Sequence, residues 1–422
     1  MKTLNYRSKT RSALATALCT LALSSAAALL FSATAFADVV VDWNSAMTGY
    51  SESQPPPGIP PYIESRVYAM AHLAVLDAIA HGHNYSAEAA VAQAAHDVLV
   101  NQFPGGAVGF DTLLATQLGA IPDGEAKTRG VQFGARAASD MLRERANDGS
   151  ATAEGPYVPG NQPGDYQFTP PFDGPPFNGY AAVPKWGLVT PFAMNNVRHF
   201  RAPAPYTVRD LEYTFDFNEI KAFGSLNSTA RTADQTNLAI FWYESSPNGW
   251  SRIARLLVAQ QSHSLAEHAR LFATLEVALA DAYIASFDSK YLYNFWRPFT
   301  AIRRAGTDGN DLTVPDLGWE PLLLTPPIPD YPSAHAAAGG AASAVLISFF
   351  GGDDHTFTLA STFPVAPRTF FRISDAAKEN AISRMLVGIH FRLACTVGYD
   401  QGLQVGNWTV QRVTHQLVDW EK

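Results

Sequence analysis

The chain is poor in cysteine, with only two among its 422 residues, Cys19 and Cys395. A small secreted scaffold held together by several disulfides is therefore excluded. After position 37 no uninterrupted apolar run reaches the ~20 residues that span a bilayer, so no membrane helix is expected in the mature chain. Charged residues make up 16% of the sequence and hydrophobic residues 47%, which is typical of a globular protein and not of a disordered one.

Basic residues are scarce once the N-terminus is set aside. The first 37 positions hold four of the 30 basic residues and no acidic one, which leaves 26 basic against 38 acidic residues in the remainder. So acidic a surface argues against a nucleic-acid partner, because phosphate backbones are held by clustered Lys and Arg. A small anionic ligand is still compatible with this charge, provided that it has a local basic pocket.

The N-terminus has the pattern of a secretory signal peptide in residues 1–37. Four basic side chains precede an apolar stretch from Ala13 to Leu30, and Ala35-Phe36-Ala37 forms an A-x-A cleavage site. The alternative is an uncleaved membrane anchor, which the cleavage site disfavours. We expect cleavage near Ala37 and an exported, periplasmic or secreted protein without a membrane segment.

Helical patterns dominate the rest of the chain, and strand patterns are few. Apolar residues recur at helical spacing from Ile63 to His81, and a Ser264–Glu267 capping box opens a helix expected to run to about Phe287. Residues 151–205 differ, because they hold 11 of the 28 prolines and cannot form a long helix. Their aromatic content suggests an ordered loop over the core. Further helices are expected at Ala87–Leu99, Gly124–Arg145, Ala334–Phe350, Ser374–Ile389 and Tyr399–Leu417.

These patterns predict an all-α protein built as a large helical bundle with few or no strands. No linker divides residues 38–422, which favours a single domain, although two tightly joined bundles would also fit the length. Residue patterns that could form a binding or catalytic site lie between residues 281 and 408. They occupy three separate segments.

The first segment is Lys290-Tyr-Leu-Tyr-Asn-Phe-Trp-Arg297-Pro298. Seven residues are almost two helical turns, so we expect Lys290 and Arg297 to project from one face of a helix that Pro298 ends. The alternative is a surface helix with two solvated charges.

The second segment is Pro329-Asp330-Tyr331-Pro332-Ser333-Ala334-His335, followed by a helix rich in alanine and glycine. Backbone N–H groups at a helix start have no intrahelical partner and form a natural anion site together with the helix dipole. Ser333 adds a hydroxyl group, and His335 could exchange a proton with the anion. The alternative is an ordinary serine N-cap beside an uninvolved histidine.

The third segment runs from Ser383-Arg384 to His390. Arg384 and His390 are about 120° apart on an ideal helix, so they can meet one ligand only if Arg384 reaches around or the helix loosens near Gly388. The alternative is a core histidine near a helix end. Taken together, the three segments supply three cations, a hydroxyl group, a helix-start amide and two histidines. Such a set suits a tetrahedral oxyanion.

The three segments resemble the signatures of the superfamily that joins vanadium-dependent haloperoxidases to type-2 phosphatidic acid phosphatases and bacterial acid phosphatases. The family patterns K-x6-R-P, P-S-G-H and S-R-x5-H match in order and spacing. One position departs, since Ala334 replaces the family's glycine, but alanine keeps the backbone amide that the family uses. The surrounding sequence is most similar to soluble bacterial haloperoxidase-like members.

This resemblance implies a role for each matched residue. His390 would bind vanadium, or be phosphorylated in a phosphatase, and His335 would act as the acid–base group. Lys290, Arg297 and Arg384 would neutralise the equatorial oxygens of vanadate, or of phosphate in the same site. Hydrogen bonds to these oxygens would come from Ser333 and the backbone amide of Ala334.

One site of this kind supports two reactions, because vanadate adopts the geometry through which a phosphoryl group passes during in-line transfer. The first is oxidation of a halide by hydrogen peroxide, and the second is hydrolysis of a phosphate ester through a phosphohistidine. A non-catalytic oxyanion-binding protein is a third reading. By offset from the motifs, the resemblance also places Phe287 and Ile328 near the halide. The sequence gives no prediction of the oligomeric state.

Two aspartates and one pair of histidines are weaker candidates. Asp281 and Asp288 lie upstream of Lys290, where either could pair with a basic residue of the site or remain a solvated helix acid. His81 and His83 suggest a divalent metal site only weakly, because no third ligand accompanies them.

Overall fold

The structure is a computed structural model that describes residues 38–56, 58–80 and 84–420, with side chains to residue 413. The predicted signal peptide at 1–37 and the pair His81 and His83 lie outside the described residues. Within them the chain forms thirteen α-helices and one sheet of two short strands. The expectation of an all-α fold with few strands is therefore confirmed.

The helices and strands have the following bounds in chain order. The helices are α1 Val39–Glu52, α2 Pro61–Ala80, α3 Ala87–Gln102, α4 Ala107–Ala120, α5 Glu125–Arg145, α6 Leu211–Phe223, α7 Ala233–Phe241, α8 Ser246–Val258, α9 Leu265–Tyr293, α10 Pro298–Arg304, α11 Ala334–Phe350, α12 Ile373–Leu386 and α13 Arg392–Trp420. The antiparallel strands are β1 Phe357–Leu359 and β2 Arg368–Phe370, with Phe357 opposite Phe370.

Helix α9 is the central element of the described fold. It begins after Ser264, whose side chain accepts from the Glu267 backbone while the Glu267 side chain accepts in return, as the sequence predicted. Apolar residues cover most of its surface, so it is buried along nearly all of its length and extends to Tyr293, past the predicted end at Phe287. It contacts α2, α11 and α13. Lys290 in its last turn donates to Pro329 and Asp330, in the loop that leads into α11.

Helices α11 and α13 pack so closely that their backbones meet. A Cβ atom added to Gly398 would lie 2.4 Å from the carbonyl oxygen of Ser333, and one added to Gly402 would lie 2.0 Å from that of Ala337. Only glycine fits at such distances. The Ser333 backbone N–H also donates to the Ala394 carbonyl at 2.9 Å. This packing brings the second sequence segment against the chain that follows the third.

The proline-rich segment contains no α-helix between the end of α5 and the start of α6. Its aromatic side chains Tyr166 and Trp186 are buried. Its backbone is tied to loops that carry the motif residues, since the Tyr166 N–H donates to Asn294 and the Ala182 N–H to Pro327, both at 2.8 Å. Among the helices in the described ranges, none has both the length and the hydropathy that crossing a membrane requires.

Candidate active site

Lys290 and Arg297 reach the site from two different elements. Helix α9 ends at Tyr293 because Asn294 adopts a left-handed conformation, with φ 54° and ψ 36°. The Tyr157 hydroxyl donates to the Asn294 side chain, and the backbones of Phe295 and Asp165 form an isolated antiparallel β-bridge. The expectation that one helix carries both cations is therefore wrong.

Pro298 begins a helix, whereas the sequence predicts that it ends one. It occupies the first position of α10, where its missing N–H needs no intrahelical acceptor, and Arg297 is the N-cap. Lys290 consequently comes from the last turn of α9, and Arg297 from the start of α10.

The Lys290 ammonium group joins the first segment to the second. It is fully buried and donates to the carbonyl oxygens of Pro329 and Asp330 at 2.8 and 2.9 Å. Burial, followed by the charge of Arg297, lowers the pKa of Lys290 well below its ordinary value. The two carbonyl bonds fix the loop that leads into α11.

The Arg297 guanidinium joins the first segment to the third. It is fully buried, with Nε donating to the Ile328 carbonyl at 2.7 Å and Nη1 to the Ile389 carbonyl at 2.6 Å. Nη1 also lies 2.9 Å from His390 Nε2. Nη2 has no partner among the described residues. An unpartnered buried donor on a charged group costs more than about 1–3 kcal/mol, so an anion that accepts from Nη2 would be stabilising.

A turn at Gly388 separates Arg384 from His390. Helix α12 ends at Leu386, short of the predicted Ile389, and Gly388 has φ 89°. A Cβ atom at Gly388 would also lie 2.3 Å from the Gly224 carbonyl, so glycine is required on two grounds. His390 stands outside any helix, and α13 starts at Arg392 instead of the predicted Tyr399.

Arg384 supplies the third cation of the site. Its Nη1 donates to the Trp242 carbonyl at 3.1 Å, and its guanidinium lies 5.2 Å from the centre of the Tyr243 ring. Nε has no partner within the described part of the chain. Burial lowers the pKa of Arg384 to about 10, which still leaves the group charged at neutral pH.

The imidazole of His390 lies within the field of all three cations. Burial first, and then Arg297, Lys290 and Arg384, lower the pKa of His390 well below its ordinary value. The ring is therefore neutral at neutral pH, with a lone pair available. The structure thus brings together five side chains from the three segments, in addition to Ser333. These are Lys290, Arg297, His335, Arg384 and His390.

Ser333 and Ala334 occupy the start of α11. The Ser333 hydroxyl accepts from the Ala336 backbone at 3.3 Å as the N-cap, which leaves its own hydrogen free to donate. Ala334 is the first helical residue, and its N–H has no intrahelical acceptor. Because its backbone is helical, the methyl group that replaces the family's glycine requires no left-handed conformation.

Two neutral side chains that the sequence reading missed hold His335. Ser246 Oγ lies 2.7 Å from Nδ1, and the Asn380 amide nitrogen lies 2.8 Å from Nε2. An amide N–H donates, so we assign the lone pair to Nε2 and the proton to Nδ1. Burial and Arg384 lower the pKa of His335 well below its ordinary value. The one sequence signal was that Asn380 precedes Arg384 by one helical turn.

Asp330 is a third residue to which the sequence reading gave no role. Its carboxyl group is buried, with Oδ1 3.0 Å from His390 Nδ1 and 3.9 Å from Arg297 Nη1. Burial raises the pKa of Asp330 to about 7, against the opposing effect of Arg297 and Lys290. Among the described residues, two arginines that stay charged and the buried Lys290 therefore face the single carboxyl group of Asp330. That excess of positive charge, with the unpartnered N–H groups of Arg297 and Arg384, fits an oxyanion such as vanadate or phosphate.

The weaker sequence candidates do not join this group. Asp281 accepts from three backbone N–H groups at residues 192–194, at 2.7–2.9 Å. Asp288 forms a two-bond ion pair with Arg201 at 2.7 and 2.9 Å. Phe287 packs on the ring of Tyr62, and Ile328 contributes its carbonyl to Arg297. A halide role for either of these two apolar residues remains a prediction.

Comparison with known sequences places the same region in a described family. Residues 270–419 match the family described as "VCPO second helical-bundle domain". A curated relative, the vanadium chloroperoxidase of Curvularia inaequalis, is 28% identical over 291 residues. The alignment covers 53% of this chain and 48% of that protein, so the chain spans about half the length of this relative.

Solved structures with the same fold cover almost the whole chain. A bacterial vanadium-dependent iodoperoxidase superposes with a TM-score of 0.74 at 24% identity, covering 89% of this chain and 95% of that one. The holo form of a bacterial vanadium-dependent chloroperoxidase superposes with a TM-score of 0.72 at 18% identity, covering 88% and 96%. At these identities the likeness shows the fold.

Proposed function

The chain belongs to the superfamily that contains the vanadium haloperoxidases, and from this premise we propose that it is a vanadate-dependent haloperoxidase. It would oxidise a halide with hydrogen peroxide to a hypohalous species. The observation that carries the proposal is the meeting of Lys290, Arg297 and Arg384 around the neutral ring of His390. Two of these cations keep unpartnered buried N–H groups, which an oxyanion would satisfy.

The residues present can hold vanadate with its full set of contacts. His390 would coordinate vanadium through Nε2, in place of the contact that Nε2 makes with Arg297 Nη1. The three cations would neutralise the oxygens around the metal. The Ser333 hydroxyl and the Ala334 N–H would donate hydrogen bonds at the start of α11. When bound, vanadate supplies a Lewis acid that polarises peroxide for attack by halide.

His335 would carry the proton transfers. Its lowered pKa keeps the ring neutral at neutral pH, so it is in the form that accepts a proton from hydrogen peroxide. With Nδ1 already protonated, Nε2 is the ring nitrogen that gains the proton. Ser246 would hold the ring through Nδ1 during this exchange, while the Asn380 N–H gives up its contact with Nε2.

The proposal can be tested against its alternatives in one set of assays. The protein is purified without metal and titrated with vanadate, and halide oxidation by peroxide is measured beside hydrolysis of p-nitrophenyl phosphate. We expect oxidation that requires vanadate and is suppressed by phosphate. Ester hydrolysis inhibited by vanadate, without oxidation, would instead identify a phosphatase. Oxyanion binding without either reaction would identify a binding protein.

Two variants make this test specific to the site. His335→Ala should lose most of the oxidation activity, since it removes the proton carrier. Arg372→Ala removes an exposed cation that pairs with Asp354 far from these contacts, so it should keep wild-type activity. Full activity in His335→Ala would overturn the role given to that residue.

We also propose that the protein is exported and cleaved near Ala37, as the first 37 residues predict. The test is the intact mass of the protein recovered outside the cytoplasm of an expressing bacterium. A mass that corresponds to a start at Asp38 is expected. Recovery of the uncut chain from the cytoplasm alone would contradict the proposal.

A further inference from the structure

We propose that Asp330 is a positioning residue for His390, which holds the proton on Nδ1 and thereby keeps the Nε2 lone pair directed at the oxyanion. The inference rests on the proposed oxyanion function of the site and deepens it. It assigns a purpose to a buried carboxyl group placed among cations that are otherwise suited to an anionic ligand.

The contacts of His390 fix which nitrogen carries the proton. A guanidinium N–H can only donate, so the one ring nitrogen that accepts it must offer a lone pair. Arg297 Nη1 is 2.9 Å from His390 Nε2 and 3.3 Å from Nδ1. The shorter contact makes Nε2 the acceptor, and the neutral ring therefore carries its hydrogen on Nδ1.

The carboxyl group of Asp330 stands where that hydrogen needs an acceptor. Oδ1 is 3.0 Å from Nδ1, and the Asp330 side chain is 1% exposed, so no bulk water competes for the contact. Neither carboxyl oxygen has an aligned hydrogen-bond partner in the described part of the chain, His390 Nδ1 included, so Oδ1 has a free lone pair for the Nδ1 hydrogen 3.0 Å away.

The loop holding Asp330 is itself built into the site. Lys290 donates to the Asp330 carbonyl at 2.9 Å, and the Asp330 N–H donates to the Phe295 carbonyl at 2.8 Å. The side chain therefore cannot withdraw without disturbing the first segment. A carboxylate that accepts from the far nitrogen of a ligating histidine sets its tautomer and raises its basicity, and removing it typically costs about 10–100-fold in affinity.

The experiment measures binding and tautomer and does not depend on turnover. Inorganic vanadate and inorganic phosphate are titrated calorimetrically into the full-length mature protein and its variants, without peroxide or halide. Asp330→Ala should weaken both affinities by about 10–100-fold. Asp330→Asn, whose amide oxygen can still accept from Nδ1, should recover a large part of the loss.

A long-range ¹H–¹⁵N spectrum of the histidine rings gives an independent readout. The His390 signals are assigned by their loss in His390→Gln. We expect the Nδ1-protonated form in the wild type and a mixture of tautomers in Asp330→Ala. Asp308→Asn, which alters a buried carboxyl group bonded to Thr313 away from His390, is the matched control and should change neither affinity nor tautomer.

Two results would overturn the inference. One is a wild-type His390 protonated on Nε2, and the other is an Asp330→Ala protein that is folded and binds both anions as tightly as the wild type. If Asp330→Ala fails to fold, the anion affinities of Asp330→Asn and the tautomer of His390 in the wild type still test the inference. Absence of halide oxidation would reject the proposed peroxidase activity and leave these binding results standing, so the two failures are distinguishable.

Discussion

Two buried polar regions lie along helix α9, and they differ in whether their buried side chains lose or keep their charge. Near its middle, Glu276 accepts from Ser251 at 2.6 Å and from Asn44 at 3.4 Å, and Asn44 also contacts His72 and Arg255. We call these five residues the Glu276 cluster. Fourteen residues further on, about 21 Å along the helix, Lys290 begins the proposed oxyanion site.

In the Glu276 cluster, burial is relieved by loss of charge. Burial raises the pKa of Glu276 to about 8 and lowers the pKa of His72 to about 3, so both groups are mainly neutral at pH 7. The two arginines of the proposed oxyanion site lack this option, because an arginine keeps its proton even where burial lowers its pKa. A buried charge that cannot be titrated away needs a counter-charge. The arginine of the Glu276 cluster, Arg255, is only partly buried, whereas Arg297 and Arg384 are buried, and this buried excess distinguishes the two regions.

The difference between the two regions is tested most directly by removing one cation from each. Arg297→Ala should weaken the binding of vanadate and of phosphate by about 100-fold or more, since charged hydrogen bonds to a buried ligand contribute about 1.5–3 kcal/mol each. Arg255→Ala in the Glu276 cluster should leave both affinities unchanged. Calorimetric titration of folded protein measures both. Equal losses in the two variants would mean that no specific anion site exists.

The pH dependence of stability tests the Glu276 cluster itself. The folded-state pKa of Glu276 is raised, so its protonated form stabilises the fold at pH 4, and this contribution is lost as pH rises from about 4.5 through 8. Glu276→Gln should match the wild type near pH 4 and exceed it by roughly 2–4 kcal/mol at pH 8.

Denaturant unfolding of both proteins across this pH range provides the measurement, and contributions from other titrating groups cancel in the difference. A wild type that gains stability relative to Glu276→Gln towards pH 8 would show that Glu276 is charged and paired in the folded state. The contrast with the oxyanion site would then be lost.

The smallest expected effect is a difference in kcat between variants of two serines on helix α8. Ser246→Ala should lower kcat about tenfold while changing oxyanion affinity little, because it removes the contact that orients His335. Ser251→Ala, five positions along the same helix, affects Glu276 alone and should retain the wild-type kcat. An equal decrease in both variants would point to a general loosening of α8.

The sequence predicted those parts of the site that local pattern determines. The start of α11 after Ser333 follows from a cap and a run of small residues, and its bounds are as expected. Likewise the Ser264 capping box identified the start of α9. The spacing of the three segments selected every cation that the fold buries around His390.

What it could not supply depends on contacts between distant parts of the chain. Ser246 is 89 residues from His335, and no local pattern links a serine in the first turn of α8 to that ring. Asp330 was read only as part of a loop before a helix, since its meaning depends on where the turn after α12 places His390. The reading of one helix from Lys290 to Arg297 failed because Asn294 ends α9 through contacts with residues 157–166.

The turn at Gly388 changes how the spacing between Arg384 and His390 should be understood. Of the five intervening residues, Met385 and Leu386 complete α12 and the other three belong to the bend before α13, so the spacing is not a fraction of a helical repeat. Chains with one residue more or fewer at this bend would retain every reactive group and yet fail to assemble them. Searches for related catalysts should accordingly tolerate substitutions within the bend, apart from its glycine, more readily than any change in its length.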